Sequence, residues 1–265
     1  MVTIYRDYQD EPKDVFLALP EELACSLYAL EMESFSEDLV FFKRMLSPEG
    51  AVLELGCGTG RVARHLAKKQ RPITGVDISQ PMLRLAAEHQ HPHCTYICMD
   101  MLFPAFRKPF DAIIIAYNTL NLLTTENKIL RCLTGCGEVL HPQGTILVQL
   151  FIPTEDFRNN NHTTFQFQMF DRPGGGRIIK EILKKYQPES QTVQLEERYR
   201  IRPMQQGSKN INYHAISTLA GFNLSKWLKI FNKAQFAPVH IWGNYTGKPY
   251  DPALSSCCLL ALERQ

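Results

Sequence analysis

The sequence predicts an α/β fold built on a mostly parallel sheet, and three observations carry that prediction. Short apolar runs alternate with amphipathic helical stretches five times between Ala51 and Phe151. Each of the first three runs carries an acid at or near its carboxyl end: Glu54, Asp77 and Asp100. Two further apolar runs near the C-terminus, 239–245 and 257–262, read as an antiparallel hairpin closing the sheet. Short apolar strands separated by helices belong to a parallel sheet covered on both faces, because each strand must bury both of its sides.

The elements follow in order. Phe16, Leu19, Leu23, Leu27 and Leu30 recur at helical spacing, with Pro20 ending one helix and starting the next, and a second helix runs over 39–46 after Ser36 as N-cap. The core then reads as strand 51–55, helix 61–69 with a basic last turn, strand 73–76, helix 81–89 capped by Ser79, and strand 95–99. Strand 111–116, helix 124–140 and strand 144–151 complete it. Between 163 and 220 the period changes to two. Phe165, Phe167 and Met169 alternate with polar residues, as do the residues of 178–182 and 193–201, with turn signals at Gly174–Gly176 and Pro188–Ser190. This is expected to be a small antiparallel sheet inserted after the fifth strand, the alternative being a continuation of the main sheet. A helix over 224–231 precedes the hairpin. The expected division is a helical lid over 1–50, a core over 51–162, an inserted cap over 163–220 and the rest of the core over 221–265.

Composition narrows the function. With 45% hydrophobic and 21% charged residues the chain is globular, and 265 residues can bury a sizeable core. A net charge of +2 with the two signs mixed demands neither nucleic acid nor an anionic membrane as partner. No apolar run approaches the roughly 18 residues that span a bilayer. The start MVTIYRDYQDEPKD is charged and lacks an apolar segment, so no secretory leader is expected. The eight cysteines include no CxxC pair and read as reduced core residues of a cytoplasmic protein, with no metal site.

The segment Val52-Leu-Glu-Leu-Gly-Cys-Gly-Thr-Gly60 carries the chemistry. Gly56 and Gly58 let the chain turn sharply after a strand and let a ligand approach the backbone. Dinucleotide folds use GxGxxG to seat a pyrophosphate at a helix N-terminus. Here the spacing is GxGxG and Glu54 precedes it, which would repel phosphate and favour an ammonium. S-adenosylmethionine carries an ammonium and a sulfonium and no phosphate, so the loop points to that cofactor. Asp77 stands where a carboxylate can accept both ribose hydroxyls. Asp100 can accept the adenine amino group, with Ile78, Met82 and Met101 around the ring. Acids at the carboxyl ends of successive strands lie on the edge where open α/β sheets bind ligands.

VLELGCGTGRV, VDIS..ML, the Cys-Met-Asp strand end, FDAIIIAYNTLNLL and LHPQGTILVQLF resemble the class I, Rossmann-like methyltransferases that use S-adenosylmethionine. LYALEMESFSEDLVFF, NTLNLLTTENKILRCL and IWGNYTGKPYDPALSSCCLLAL are similar to the subgroup acting on amino sugars and small amines. The resemblance implies a seven-stranded sheet with a helical lid, and cofactor contacts at Glu54, Gly56, Cys57, Gly58, Gly60, Asp77, Ile78, Met82, Asp100, Met101 and Tyr117. It implies acceptor contacts at Tyr28, Asn118 and Asn121, and transfer to a small molecule, most simply to an amine nitrogen, by a monomer or homodimer. Tyr28 either closes over the cofactor or packs.

The chain departs from neighbouring subgroups. It lacks the Asn/Asp-Pro-Pro-Tyr of amide and adenine methyltransferases, a Pro-Cys nucleophile, and the acidic cluster of metal-dependent catechol enzymes. His162, His214 and His240 are candidate bases should the acceptor be an oxygen. Arg198, Arg200 and Arg202 share one strand face, either binding an anion or facing solvent, and the aromatic residues Phe165, Phe167, Phe170, Tyr199 and Tyr213 are expected to wall an acceptor pocket. The competing functions are a cofactor-binding subunit without activity and an NAD-dependent oxidoreductase. The intact loop with its acids argues against both.

Overall fold

The computed structural model describes residues 15–67, 71–89, 91–160, 162–172, 174–204, 210–255 and 257–265. The chain opens with β1 (Leu17–Ala18), α1 (Glu21–Met32) and α2 (Glu37–Met45). Strands and helices then alternate through β2 (Val52–Leu55), α3 (Arg61–Ala67), β3 (Ile73–Asp77), α4 (Gln80–Glu88), β4 (Cys94–Cys98) and β5 (Phe110–Ile115). A 3-10 turn (Thr119–Leu122), α5 (Glu126–Val139), β6 (Leu140–Leu150) and α6 (Glu155–Asn159) follow. Four long strands come next: β7 (Thr163–Asp171), β8 (Gly176–Gln187), β9 (Thr192–Pro203) and β10 (Ile211–Ala220). The chain ends with α7 (Leu224–Lys233), β11 (Phe236–Trp242) and β12 (Cys258–Arg264). Lys68 and Lys69, the basic last turn expected of the third helix, lie outside the described residues.

The main sheet has seven strands in the order β11-β12-β6-β5-β2-β3-β4. The β2–β3, β2–β5, β3–β4 and β5–β6 pairs are parallel, and β12 runs antiparallel to both its neighbours. Both faces are buried, which is why the strand sequences read as unbroken apolar runs. Leu53, Leu55, Ile113 and Ile115 face α5 and α7, joining Ile129, Cys132, Leu133, Trp227 and Phe231. Val52, Ile73, Ala112 and Ile114 face α2 and α3, joining Phe41, Phe42, Val62 and Leu66. Strand order reverses at β2 and β5. The loops leaving their carboxyl ends therefore diverge and open a crevice.

Residues 163–220 form a separate sheet in the order β1-β10-β9-β8-β7. Its four long strands are an antiparallel meander with unbroken register from Thr163↔Lys185 through Ile211↔Ile201. The first helix expected around Phe16 is replaced by β1, which pairs in parallel with Tyr213 and His214. Pro20 disfavours helix in the residue before it, and the short remaining stretch cannot repay helix nucleation. The edge of β10 instead offers it backbone partners, including Leu19 N–H to His214 O at 2.9 Å. α1 packs on this sheet through Leu23, Leu27 and Leu30, joined by the preceding Leu19, against Ile178, Tyr199 and Tyr213. α1 and this second sheet are thus packed together.

Cys132 and Cys136 are buried on α5, but Cys98 on the edge strand β4 is exposed, which the reading of the cysteines as core residues missed. Among the described residues no helix is long and apolar enough to cross a membrane.

Candidate active site

The loop after β2 turns through three left-handed glycines, with φ of +69° at Gly56, +53° at Gly58 and +70° at Gly60. They serve different purposes. A Cβ on Gly56 would overlap the Thr119 side chain of the neighbouring loop, so this glycine lets the loops after β2 and β5 touch. A Cβ on Gly58 would point into the cavity, 3.7 Å from the Tyr28 ring and 3.9 Å from Met82 Sδ. Gly60 does not line the cavity. Its missing Cβ is filled by the Tyr96 ring, which makes it a packing glycine rather than the cofactor contact expected of it.

Asp77 at the end of β3 holds the loop in place. Its Oδ2 accepts from Gly58 N–H at 2.8 Å and its Oδ1 from Ser79 N–H at 2.9 Å. Carboxylate oxygens bonded this way keep a second lone pair for a ligand hydroxyl. Asp77→Ala is expected to weaken binding of S-adenosylhomocysteine by about 1.5 to 3 kcal/mol, the scale of charge-assisted hydrogen bonds. Calorimetry giving unchanged affinity would leave Asp77 as a loop brace only.

Glu54 is 3% exposed and lines the cavity. Burial pushes its carboxyl up to about 8, against the opposing pull of Arg61 and of the Ala63 backbone N–H. Its Oε2 has no hydrogen-bond partner. A buried carboxylate oxygen without a donor is costly, and the cavity beside it is where a cationic group would supply one. The nearby Arg61 is already committed: it is bidentate to the fully buried Asp38 at 2.5 and 2.8 Å and donates to Phe35 O. This pair fastens α2 to the glycine loop. The sequence reading singled out neither residue for this role, since their partnership spans 23 positions.

The turn after β5 is strained. Tyr117 and Asn118 have φ of +47° and +63°, a conformation that disfavours bulky side chains. Tyr117 N–H donates to Gln149 Oε1 at 3.2 Å and Thr119 N–H to Ala116 O at 3.0 Å, which hold the turn. The result aims Tyr117 and Asn118 at the cavity, where Tyr117 meets Tyr28 edge to face with 6.2 Å between ring centroids.

Asn121, expected as an acceptor contact, is fully buried and does not line the cavity. Its amide donates to Phe151 O and Ala220 O, and its oxygen accepts from Phe151 N–H. It ties the end of β6 in the main sheet to the end of β10 in the second sheet. Ile78, Asp100 and Met101 also lie outside the cavity. Ile78 is 69% exposed, Met101 packs against the core, and Asp100 Oδ1 caps the Leu102 N–H at 2.9 Å.

The cavity itself, about 510 Å³, runs from Glu54, Cys57, Gly58 and Met82 to the inner face of the inserted sheet. That roof is not aromatic. Gln168, Lys180, Ile182, Lys184, Leu195, Glu197, Ser217 and Leu219 form it. Phe165 and Phe167 stand on the opposite, exposed face, while Tyr199 is buried and donates to Glu31 at 2.8 Å. Lys180, 5% exposed, bridges Glu31 at 2.6 Å and Glu197 at 2.5 Å. Burial alone would discharge Lys180, but Glu197 and Glu31 outweigh it and hold the ammonium charged. Arg198, Arg200 and Arg202 face outward, where Arg198 pairs with Glu196, Arg200 with Glu181 and Arg202 with Asn212. His162, His214 and His240 all lie outside the cavity. Among the described residues no His, Cys, Asp and Glu gather as a metal-ligand set.

Residues 52–144 match the family model described as a methyltransferase domain. The seven-stranded sheet and the acid-flanked loop around this segment are those expected of a class I, S-adenosylmethionine-dependent methyltransferase domain, which these residues resemble. An uncharacterized methyltransferase of Geobacillus kaustophilus is 32% identical over 142 residues, 50% of this chain and 65% of that protein. The dTDP-3-amino-3,4,6-trideoxy-alpha-D-glucopyranose N,N-dimethyltransferase of Streptomyces venezuelae is 25% identical over 115 residues, 43% of this chain and 48% of its own. The chain thus spans less than two thirds of the length of either relative. The fold also matches CalS10 of Micromonospora echinaspora, an amino pentose methyltransferase solved with bound S-adenosylmethionine. There the TM-score is 0.68, over 96% of this chain and 100% of the other, at 16% identity.

Proposed function

We propose that the protein transfers a methyl group from S-adenosylmethionine to the nitrogen of a small-molecule amine. The observation that carries this is one cavity joining the Glu54 carboxylate, whose Oε2 has no partner, to a polar roof on the inserted sheet. The residues fit the cofactor. Glu54 would hold its ammonium, Asp77 its ribose, and the bare backbone of Gly58 its close approach, while Ile78 and Asp100 would form an exposed shelf for the adenine. S-adenosylmethionine, when bound, supplies an electrophilic methyl on a sulfonium. The chain then has to align an acceptor with that methyl and exclude water, which Tyr28, Tyr117 and the inserted sheet are placed to do.

The amine reading is supported by the lining of the cavity, whose described residues include no histidine and whose Glu54 is assigned to the cofactor's ammonium. An oxygen acceptor needs a base. The carboxylates Glu31 and Glu197 are held by Lys180. A neutral amine needs only alignment. The amino-sugar N,N-dimethyltransferase of Streptomyces venezuelae and the amino pentose methyltransferase CalS10 agree with this reading. The test is calorimetry with S-adenosylhomocysteine and NAD, followed by transfer of labelled methyl from S-adenosylmethionine to a panel of amines, amino sugars included, and to their hydroxyl counterparts. Binding of S-adenosylhomocysteine and N-methylated products are expected. NAD binding as tight as S-adenosylhomocysteine, or methylation of the hydroxyl compounds alone, would overturn the reading.

A further inference from the structure

The inward side of β8 presents Ile178, Lys180, Ile182 and Lys184 at the two-residue period of a strand, so two lysines look into the cavity from its roof. Their environments differ. Lys180 is held by Glu31 and Glu197. Among the described residues Lys184 makes no ion pair and no hydrogen bond, and its ammonium rests over the Phe151 ring at 5.4 Å from the centroid. The nearest opposite charge acting on it is Glu197, whose Oε1 is already engaged by Lys180 at 2.5 Å, while Lys180 itself repels it. The surrounding lining is apolar, with Ile182, Leu195, Leu219 and Phe151.

We propose that Lys184 anchors an anionic group, a phosphate or a carboxylate, on the methyl acceptor. An ammonium set among Ile182, Leu195, Leu219 and Phe151, with its nearby carboxylate Glu197 shared with Lys180, is under-compensated, and burial lowers the Lys184 pKa accordingly. An anion of the ligand supplies the missing charge, and the low dielectric around it makes the pairing strong. Lys184 lies on the roof, whereas Glu54 and Gly58 lie on the floor. An acceptor held at the roof by its anion would direct its amine toward the floor, which makes Lys184 a specificity residue. The proposal rests on the methyl-transfer reading and narrows its substrate class to amines that carry an anion.

The test uses the full-length wild type, Lys184→Met, Lys184→Arg and the control Lys185→Met, whose side chain is on the exposed opposite face. Each is saturated with S-adenosylhomocysteine and titrated separately with inorganic phosphate and with acetate, followed by NMR. The better of the two anions identifies which group the site takes. That anion should bind wild type and Lys185→Met alike, bind Lys184→Met roughly 10- to 100-fold more weakly, and recover in Lys184→Arg. S-adenosylhomocysteine affinity should be equal in all four. In turnover, 2-aminoethyl phosphate or β-alanine should have a lower KM than ethanolamine, a preference lost in Lys184→Met. Equal anion binding by wild type and Lys184→Met would overturn the proposal, as would binding of neither anion by wild type. Loss of S-adenosylhomocysteine affinity in Lys184→Met would assign the residue to the cofactor and overturn it too. If wild type fails to bind S-adenosylhomocysteine at all, the methyl-transfer reading falls, while anion titration of the free protein still tests Lys184. Lys184→Gln replaces Lys184→Met should the latter not fold.

Discussion

Replacing Glu54 by Gln should remove a large component of the pH dependence of the ligand-free protein's stability below pH 8 and, at the same time, cripple cofactor binding. The Glu54 carboxyl is raised by burial to about 8 in the folded chain, above its unfolded value. A raised acid is favourable to folding while protonated, and that advantage is lost as pH climbs from the unfolded value toward the folded one. Glu54 alone should therefore contribute a fall in stability on the order of 4 kcal/mol between pH 5 and pH 8, a component that Glu54→Gln lacks. Ligand binding reverses the situation. A cofactor ammonium beside Oε2 favours the charged carboxylate, so binding of S-adenosylhomocysteine between pH 6 and 7 should release close to one proton and strengthen as pH rises. Calorimetry in buffers of different ionisation enthalpy measures that proton. In Glu54→Gln it should disappear and affinity should drop by about 2 to 3 kcal/mol. A wild type that binds without proton release would show that Glu54 is not the ammonium's partner.

Lys180→Met should lower stability by about 3 to 5 kcal/mol, because Glu31 and Glu197 would remain in the cavity wall without their cation. Glu31 belongs to α1 and Glu197 to β9, so the loss also loosens the lid helix from the inserted sheet. Tyr28 lies on the same helix, and S-adenosylhomocysteine affinity should weaken with it. Urea unfolding followed by circular dichroism gives the stability. Adding Glu31→Gln to Lys180→Met should recover part of the loss, since one uncompensated carboxylate is then removed. A change below about 1 kcal/mol in the single variant would place the three groups in the class of exposed, weakly coupled pairs.

The parts of the site legible in the sequence are those built from one short segment. Gly56, Gly58, Glu54 and Asp77 were readable because a strand, a tight turn and a helix start are local events with narrow residue requirements. Asn121 was misassigned for the opposite reason: its partners Phe151 and Ala220 are 30 and 99 residues away. Lys180 meets Glu31 across 149 residues, and no local pattern announces that pair. The one available signal was a lysine repeated on the same strand face as Ile178 and Ile182, a face that must be buried if the isoleucines are.

The sequence by itself determined the alternation of strands and helices from Ala51 to Phe151, the parallel character of the central sheet and the acid-flanked glycine loop. Each follows from apolar periodicity or from backbone conformations that few residues accept. Only the tertiary structure decided what faces the cavity. Phe165 and Phe167 alternate with Gln166 and Gln168, which establishes that they share a face, but not which face. Packing of α1 against the inner side of β8 and β9 settles it, turning Gln168, Lys180 and Lys184 inward and the phenylalanines to solvent. A two-residue period is symmetric between the faces of a strand, so choosing one requires knowing what the strand is packed against.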